Sequence, residues 1–320
     1  MNVFVTGGTG MVGKALVRRL VADGHRVHAL GRSATAEALL RELGAIPVRG
    51  ELANLEAWAE ALVGMEAVVH AASPLPSWDP WEHFETNIVA PTGALARQAA
   101  KAGVRRFVYL SSESVLQDRA PLVGANASTP PARTPNSFYG RAKKAAEESL
   151  RSIPGLETII LRPTFIWGEG CFAFEEVGAK VESGAFVWVD GGRAPFEAVH
   201  VDTVVEASVA ALTRGTAGAV YLVTDDAPAT FREFWERIFQ LRGIPSPRRS
   251  VPSWLLRPVA ATLQALWRAA GKRTPPPLTP FELAFASQPR RYDVSTTWAE
   301  LGIRPALTRE EGFARLGARG

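Results

Sequence analysis

The sequence has 320 residues and is 47% apolar, 21% charged and 9% aromatic, which is typical of a globular protein and excludes a disordered tail or a fibre. Its length suits one large core with a smaller lobe. The single cysteine, Cys171, excludes an internal disulfide, and the net charge of +4 is small for this length.

Short apolar runs alternate with helical stretches in the first half of the chain. The runs are residues 3–6, 27–30, 46–48, 67–70 and 106–110, and a sixth run at 157–161 follows a helix predicted over about 138–152. Runs that are apolar throughout are typical of strands covered by helices on both faces. The alternation predicts an α/β domain, a doubly wound parallel sheet, over residues 1–162, to which a later segment at about 197–225 returns.

Beyond Arg162 this alternation breaks down. Residues 163–320 combine loops, an isolated strand at 186–189, a helix after Asp202 and a proline-punctuated C-terminus, which predicts a smaller, mostly helical substrate-binding lobe. Residues 254–270 are apolar but are interrupted by charge and proline, so they fall short of a membrane-spanning helix. Two interpretations of this segment stay open: a helix packed on its own domain, or a helix that lies on a surface.

A glycine motif follows the first predicted strand directly and opens the first helix. Small residues at positions 7, 10 and 13 allow a tight turn, a close approach of backbone N–H groups to a pyrophosphate, and close packing of the helix on the strand. The motif predicts a Rossmann dinucleotide site formed by Thr6, Gly7, Gly8, Thr9, Gly10, Met11, Val12 and Gly13.

The end of the second predicted strand indicates which dinucleotide binds. An NAD site usually presents a carboxylate to the adenosine ribose there, whereas this chain has Arg32 and Ser33. The guanidinium can hold a 2′-phosphate by charge-assisted bonds, and Ser33 can add a hydroxyl. The sequence therefore favours NADP(H) over NAD(H), the alternative being an arginine that is merely solvated at a helix start.

Tyr139 and Lys143 are four residues apart, so a helix presents both on one face. A phenol is a poor acid or base near neutrality because its pKa is about 10. A nearby ammonium, joined by the positive charge of oxidised nicotinamide, is expected to lower that pKa. The pair Ser111 and Ser112 ends the fifth predicted strand, and ligands of such sheets sit at the carboxyl ends of strands. The serine pair is therefore expected to face the same place as the phenol.

Together these motifs resemble the extended short-chain dehydrogenase/reductase superfamily, of the NAD-dependent epimerase/dehydratase type, over essentially the whole chain. Within it, residues 161–168 and 243–252 resemble the 3β-hydroxysteroid dehydrogenase-like branch, which includes sterol-carboxylate dehydrogenases and 2-alkyl-3-oxoalkanoate reductases. The motifs that carry the resemblance are the glycine motif, His70-Ala71-Ala72, Asn87, Ser111-Ser112, Tyr139-x-x-x-Lys143, Leu161-Arg162-Pro163 and His200-Val201-Asp202.

The resemblance implies a role for each matching residue. Ser112 would donate a hydrogen bond to the substrate oxygen, Tyr139 would exchange its proton, and Lys143 would hold the nicotinamide ribose and tune Tyr139. Ser112 is preferred to Ser111 because its place relative to Val115 matches that of the family's serine, and the neighbouring residue of the strand points to the opposite face. The matching positions also imply cofactor contacts from Glu51, Leu52, Ala71, Ala72, Ser73, Asn87, Ser111, Tyr139, Lys143 and Pro163.

The implied activity is the NADP(H)-dependent interconversion of a ketone and a secondary alcohol on a bulky apolar substrate, steroid-like or 3-oxoacyl-like. Two alternatives stay open: a nucleotide-sugar epimerase of the same superfamily, and a non-catalytic NADP-sensing protein. Glu113-Ser114 replaces the Asp-Glu pair that the superfamily's sugar-nucleotide dehydratases use, which disfavours a nucleotide-sugar substrate.

Aromatic and histidine residues are further candidates. His200 either makes a structural hydrogen bond at the lobe junction or takes part in catalysis. The five histidines have no partner cysteines and no His-x-x-x-His spacing, so no metal site is predicted. A set of aromatic residues either lines an apolar pocket or packs in a core: Trp167, Phe172, Phe174, Phe186 and Trp188.

Charge is unevenly distributed along the chain. Between positions 242 and 280 there are seven basic residues and no acidic one. Candidate partners of this lobe are therefore an anionic membrane surface or a phosphate-bearing acyl carrier, through Arg248, Arg249, Lys272 and Arg273. Nucleic acid is not expected, and a homodimer stays open. Because the chain enters an apolar strand at Asn2 without a basic n-region and cleavage site, a cytoplasmic location is expected.

Overall fold

A computed structural model describes residues 1–75, 77–118, 120–151 and 153–318. The strands are β1 (Asn2–Thr6), β2 (Arg26–Gly31), β3 (Ile46–Arg49), β4 (Ala67–His70), β5 (Arg106–Leu110), β6 (Leu122–Ala125), β7 (Glu157–Pro163), β8 (Phe165–Trp167), β9 (Trp188–Val189), β10 (Pro195–Phe196), β11 (Ala198–His200), β12 (Val220–Val223), β13 (Ala229–Thr230), β14 (Ser250–Val251) and β15 (Arg290–Tyr292).

The helices cover the sheet and build most of the C-terminal lobe. They are α1 (Met11–Ala22), α2 (Ala34–Glu42), α3 (Trp81–Phe84), α4 (Ala90–Lys101), α5 (Phe138–Leu150), α6 (Phe172–Glu182), α7 (Val201–Ala210), α8 (Phe231–Leu241), α9 (Ser253–Ala269), α10 (Pro280–Ser287), α11 (Ser295–Leu301) and α12 (Arg309–Gly317). A π-helical segment, Glu85–Val89, connects α3 to α4.

Seven parallel strands form the central sheet, in the order β12-β7-β5-β4-β1-β2-β3. This confirms the doubly wound α/β fold that the sequence predicts. The strand order reverses between β1 and β4, and a crevice for ligands forms at such a point because the chain leaves the two strands in opposite directions. The carboxyl ends of β1, β4 and β5 therefore define where the functional site lies.

The seventh strand of the sheet comes from the segment at about 197–225 that is expected to return to this domain. Val220–Val223 forms an edge strand beside β7, with Leu222 opposite Arg162. The isolated strand predicted at 186–189 is shorter than expected, because only Trp188–Val189 pairs, and its partner is Ser250–Val251. Four-residue runs of this kind carry too little periodicity to be told from loops.

Successive side chains of β1 pack into two different cores. Val3 and Val5 face α1 and α7, whereas Phe4 faces the other layer and stacks on Trp58 with ring centroids 5.3 Å apart. This alternation follows from the strand geometry, in which neighbouring residues point to opposite faces. It anchors β1, and the loop that follows it, from both sides of the sheet.

A cluster of aromatic side chains forms the core of the C-terminal lobe. Trp167, Phe174 and Trp188 are buried in it, which resolves their open interpretation in favour of packing, whereas Phe172 is 62% exposed. Phe186 is half-buried, with its ring 5.0 Å from that of Trp188. The larger buried members of the cluster are Trp167, Phe174, Trp188, Phe196, Phe231, Phe234, Trp235, Phe239 and Phe313.

The helix α9 lies mostly on the surface of this lobe. Ala260 is its one fully buried residue, while Trp254 is 68% exposed and Leu266 is 57% exposed. A helix packed along one narrow side, with its other sides in solvent, therefore describes this segment better than a helix embedded in its domain. Within the described residues, no helix combines the length and the apolar character needed to cross a bilayer.

Candidate active site

The glycine motif forms a tight turn that only glycine tolerates at two of its positions. Gly7 has a φ of +76°, and a Cβ placed on Gly13 would lie 1.9 Å from the Gly7 carbonyl oxygen. Gly10 is the N-cap residue of α1 and supplies no side-chain acceptor to the first N–H groups of the helix. These free N–H groups and the positive end of the helix dipole suit a pyrophosphate. The loop therefore fits a dinucleotide.

The other residues of the motif connect the loop to both halves of the molecule. Thr9 lies in the turn before α1, and the small residue Gly8 fits against Leu40. Val12 packs against the sheet core, whereas Met11 packs against the aromatic cluster of the C-terminal lobe. The loop is thereby held at the junction of the two lobes.

A second loop, after β4, lies directly against the glycine motif. A Cβ on Gly7 would lie 2.6 Å from the Ala72 nitrogen, so the two backbones approach each other closely. The Ala71 N–H donates to the Thr6 carbonyl oxygen at 3.2 Å, and the Ala72 N–H donates to Thr6 Oγ1 at 3.3 Å. Ser73 follows in this loop, and its hydroxyl donates to the Pro74 carbonyl oxygen at 3.0 Å.

Buried His70 fixes the end of β4. Its Nδ1 lies 2.6 Å from Thr6 Oγ1, and its Nε2 lies 3.0 Å from Thr92 Oγ1 on α4. Burial, and secondarily the charge of Lys143, lowers the pKa of His70 to about 3, so the ring is neutral. The side chain thus connects β1, β4 and α4 behind the cofactor loop.

The expected 2′-phosphate site lies at the ends of β2 and β3. Arg32 is exposed, and in the described part of the chain no hydrogen bond or ion pair involves its guanidinium. Ser33 is the N-cap of α2 and accepts a hydrogen bond from the Ala36 N–H at 3.1 Å. Arg49 lies on β3, opposite Gly31 of β2, and forms an ion pair with Glu37 at 2.9 Å.

The remaining cofactor candidates lie at strand ends or on the helix beside them. Glu51 is exposed after β3, and its carbonyl oxygen accepts a hydrogen bond from Trp58 Nε1 at 2.8 Å. Leu52 is half-buried, and Pro163 is the last residue of β7. Asn87 is exposed on the π-helical segment, where its amide donates to a main-chain carbonyl one turn earlier. The structure shows no direct contact between Asn87 and the serine, tyrosine and lysine.

The helix α5 begins beside the loop that carries Ser112. Ser137 caps α5 by accepting a hydrogen bond from the Gly140 N–H at 3.0 Å, and Tyr139 follows within the first turn. A Cβ on Gly140 would lie 2.6 Å from the Ser114 carbonyl oxygen. The glycine after Tyr139 therefore lets the helix approach the serine loop, which brings the phenol and the Ser112 hydroxyl together.

The hydroxyls of Ser73 and Ser112 face the Tyr139 phenol and lower its pKa. Burial is the larger influence, and with the nearby Glu113 it raises the pKa of the phenol to about 12. The expectation of a lowered pKa is therefore wrong for the groups that the protein itself provides. The reason is that moving the phenolate out of water costs more free energy than the two neighbouring hydroxyls contribute by stabilising it.

Lys143 is buried one turn along α5 from Tyr139. Its Nζ donates to the Leu110 carbonyl oxygen at 2.7 Å and lies 5.6 Å from the centroid of the Tyr139 ring. Burial lowers the pKa of Lys143 to about 7, against the opposing charge of Glu147. The lysine therefore carries only part of a positive charge at neutral pH, which limits its effect on the phenol.

A family model described as the NAD dependent epimerase/dehydratase family matches residues 3–224. The chain belongs to this family. Membership confirms the predicted resemblance to the extended short-chain dehydrogenase/reductases, and it makes the protein an oxidoreductase of a family that depends on a nicotinamide dinucleotide.

Relatives over the full chain narrow this assignment. The 4-hydroxy-2-methyl-3-oxo-4-farnesyl-3,4-dihydroquinoline-1-oxide ketoreductase of Stigmatella aurantiaca is 32% identical, over 99% of this chain and 96% of the relative. A 2-alkyl-3-oxoalkanoate reductase of Stenotrophomonas maltophilia is 29% identical, over 99% of both chains. The crystal structure of gox2253 has a TM-score of 0.81 at 27% identity, covering 99% of this chain and 98% of that one. The predicted likeness to the 3β-hydroxysteroid dehydrogenase-like branch is confirmed.

Ser111 and Ser112 point in different directions in this family member. Ser111 is buried, and its hydroxyl donates to Glu147 at 2.5 Å. Glu147 in turn forms a buried, two-bond ion pair with Arg162, at 2.6 and 2.9 Å. The Ser111 side chain therefore has a structural role, as a hydrogen-bond donor inside the protein. The sequence predictions do not include this ion pair. The signal for it is Arg162 itself, because an arginine inside an apolar strand needs a buried carboxylate partner.

A second buried network holds the turn that follows Ser112. The Ser112 Oγ accepts a hydrogen bond from the Ser114 N–H at 3.1 Å, and Glu113 points inward. Glu113 accepts hydrogen bonds from Tyr292 at 2.9 Å and from Gln117 at 2.6 Å. Tyr292 lies on β15, far along the chain, and no local pattern in the sequence could have indicated it.

His200 has a structural position at the junction of the lobes. Its ring caps α7 by accepting a hydrogen bond from the Asp202 N–H at 3.2 Å, and it packs edge-on against Trp167 at 5.0 Å. Its backbone N–H donates to buried Asp225 at 2.7 Å. These contacts favour the structural interpretation over catalysis. Among the described residues, no group of histidine, cysteine and acidic side chains could hold a metal ion.

Proposed function

We propose that this protein is an NADP(H)-dependent reductase that interconverts a ketone and a secondary alcohol on a bulky apolar substrate. The observation that carries the proposal is the placement of the Tyr139 phenol beside the hydroxyls of Ser112 and Ser73, with Lys143 one turn along the helix. This arrangement lies at the carboxyl ends of β4 and β5, beside the glycine loop, where a ligand of a doubly wound sheet binds.

The protein's own groups are suited to the acid step of a reduction. When bound, a reduced nicotinamide would supply the hydride for the carbonyl carbon. Ser112 would donate a hydrogen bond to the substrate oxygen, which stabilises the negative charge that develops there. Tyr139, with a pKa of about 12, keeps its proton at neutral pH and would donate it to the same oxygen.

The cofactor preference for NADP(H) rests on the charges at the ends of β2 and β3. Arg32 offers a guanidinium that no carboxylate of the described chain neutralises, and Ser33 offers a hydroxyl beside it. Glu37, the nearest acidic side chain along the helix, is engaged by Arg49 and Arg41. A 2′-phosphate would meet the positive charge of Arg32 here, at the place where an NAD site usually presents a carboxylate to the ribose 2′-hydroxyl.

The substrate class rests on the relatives. The Stigmatella aurantiaca relative reduces a ketone on a ring that carries a farnesyl chain, and the Stenotrophomonas maltophilia relative is a reductase of 2-alkyl-3-oxoalkanoates. Both names describe ketones with long apolar substituents. A steroid-like or 3-oxoacyl-like ketone is therefore the class that we propose for this protein.

The epimerase alternative is disfavoured by the environment of Glu113. Its carboxylate is buried and accepts hydrogen bonds from Tyr292 and Gln117, so it is not exposed to a substrate as a second acid or base. An epimerase would form a product isomer without net consumption of NADPH. A sensing protein would bind NADPH without oxidising it.

The proposal is tested by following NADPH oxidation with steroid ketones, 3-oxoacyl compounds and aromatic aldehydes. We expect turnover of at least one apolar ketone, and a fall in kcat/KM of about 10²- to 10⁴-fold in Tyr139→Phe, because the proton donor is lost. NADPH affinity, measured by fluorescence titration, should change little. A Tyr139→Phe variant as active as the natural protein would overturn the mechanism, and isomerisation without NADPH loss would establish the epimerase.

A further inference from the structure

One face of α9 exposes three large apolar side chains. Leu255 is 44% exposed, Val259 is 49% exposed and Leu266 is 57% exposed. They are spaced at i, i+4 and i+11, with Thr262 at i+7, so they lie in one stripe along the helix. Large apolar side chains that lie exposed side by side often mark a binding surface.

Exposed positive charge accompanies this apolar stripe. Arg257 lies on α9 itself, Arg248 and Arg249 precede it, and Lys272 and Arg273 follow it, all with exposed side chains. No acidic residue occurs between positions 242 and 280. In the described part of the chain, no ion pair neutralises Arg248, Arg249 or Arg257, in contrast to Arg242, which pairs with Glu175 at 2.7 Å.

The C-terminal end of α9 lies at the rim of the active site. The Arg268 guanidinium lies 3.8 Å from the centroid of the Trp78 ring and 5.1 Å from that of Phe138, the residue before Tyr139. Trp78 Nε1 donates to the Lys272 carbonyl oxygen at 2.9 Å. Trp78 belongs to the loop after β4 that also carries Ser73. The helix is therefore connected to both elements that hold the reacting hydroxyls.

We propose that α9 docks this protein on the surface of an anionic phospholipid bilayer, with the rim of the active site turned toward the lipid. An apolar helix face flanked by unpaired cations is the combination that binds such a surface, because the side chains enter the boundary region while lysine and arginine attract the headgroups. Transfer of an apolar ketone from the bilayer to the site would follow, and this consequence alone rests on the proposed function.

Other occupants of this face fit its composition less well. A second copy of the chain would bring the same unpaired cations against their counterparts, because α9 would meet α9 across a twofold axis. A phosphate-bearing acyl carrier would use the cations but would leave the apolar stripe in water. An anionic bilayer satisfies the apolar stripe and the cations together.

Flotation of the full chain with vesicles tests the docking independently of turnover. We expect binding to phosphatidylcholine vesicles that contain phosphatidylglycerol, little binding to phosphatidylcholine alone, and weaker binding at high salt. The double variant Leu255→Gln/Leu266→Gln should lower the partition coefficient about tenfold or more, and Arg257→Glu/Arg273→Glu should do the same at low salt. Val63→Gln, at an apolar residue 68% exposed elsewhere, and Arg18→Glu on α1 are the matched controls.

The orientation is tested by quenching of tryptophan fluorescence with brominated lipids. Trp254, 68% exposed at the start of α9, should be quenched, and Trp254→Phe should lose most of that quenching. Absence of flotation by the natural protein at low salt overturns the proposal, as does unchanged flotation of both α9 double variants. Loss of dimers in those variants, or capture of a holo acyl carrier, without any vesicle binding, would likewise assign the face to another partner. Inactivity toward ketones with intact flotation would refute only the proposed function.

Discussion

A phenol whose pKa is about 12 keeps its proton at neutral pH, so Tyr139 is present as a proton donor rather than as the phenolate. The two serine hydroxyls that lower its pKa come from loops after different strands, Ser73 after β4 and Ser112 after β5. Lys143, which could favour the phenolate, is itself deprived of part of its charge by burial. At the scale of single residues, exclusion of solvent therefore determines the protonation states of Tyr139 and Lys143.

Arg32 is the residue that should decide between the two nicotinamide dinucleotides. Removal of its guanidinium in Arg32→Ala should weaken NADPH binding about 10- to 100-fold, because a charge-assisted hydrogen bond contributes about 1.5–3 kcal/mol. NADH binding should change little. Titration of both cofactors checks this, with Arg18→Ala, at an exposed arginine on α1, as the matched control. Equal losses for NADPH and NADH would show that Arg32 does not contact a 2′-phosphate.

At the scale of elements, two glycines determine how closely neighbouring backbones approach. Gly140 lets α5 approach the Ser114 carbonyl, and Gly13 lets α1 approach the Gly7 carbonyl. Both positions lie where a side chain would push a helix away from the loop that it serves. The position of the phenol and the shape of the cofactor loop therefore depend on the absence of a Cβ.

Gly13→Ala should destabilise the fold even though alanine favours helices by about 1 kcal/mol over glycine. The new Cβ would lie 1.9 Å from a backbone oxygen that no side-chain rotation can move, so we expect a net loss of about 3 kcal/mol or more. Thermal unfolding without cofactor measures this loss. Gly10→Ala is the matched control, because its Cβ would meet only the Gly7 oxygen at 3.4 Å. Similar unfolding temperatures for the two variants would show that the loop relaxes freely.

At the scale of the whole molecule, burial of a single histidine in the core makes stability depend on pH. His70 has a folded-state pKa of about 3 because it is buried, against 6.5 in the unfolded chain. Between these two values the unfolded state binds a proton that the folded state excludes. The contribution of His70 therefore lowers the free energy of unfolding as the pH falls from 6.5 toward 3.

His70→Asn should flatten this acid dependence by up to about 1.4 kcal/mol per pH unit, even if the variant is less stable at neutral pH. Urea unfolding at a series of pH values measures the slope. His83→Asn, at a partly exposed histidine, supplies the background. A slope in His70→Asn that matches the slope of the natural protein would contradict a buried, neutral imidazole.

The sequence by itself determined the architecture and the cofactor loop. Apolar runs of strand length, separated by helical stretches, dictate a covered parallel sheet, and glycines at 7, 10 and 13 after the first strand dictate a turn for a dinucleotide. The spacing of Tyr139 and Lys143 likewise follows from one helix face. These features are local, so they can be read from neighbouring residues.

Only the tertiary structure decided which hydroxyls meet and what charge they carry. Ser73 reaches Tyr139, Tyr292 reaches Glu113, and Arg162 reaches Glu147 across long stretches of chain. The raised pKa of Tyr139 depends on burial, which all surrounding elements create together. Such contacts cannot be read from the sequence because desolvation depends on what packs around a group, and distant parts of the chain supply that packing.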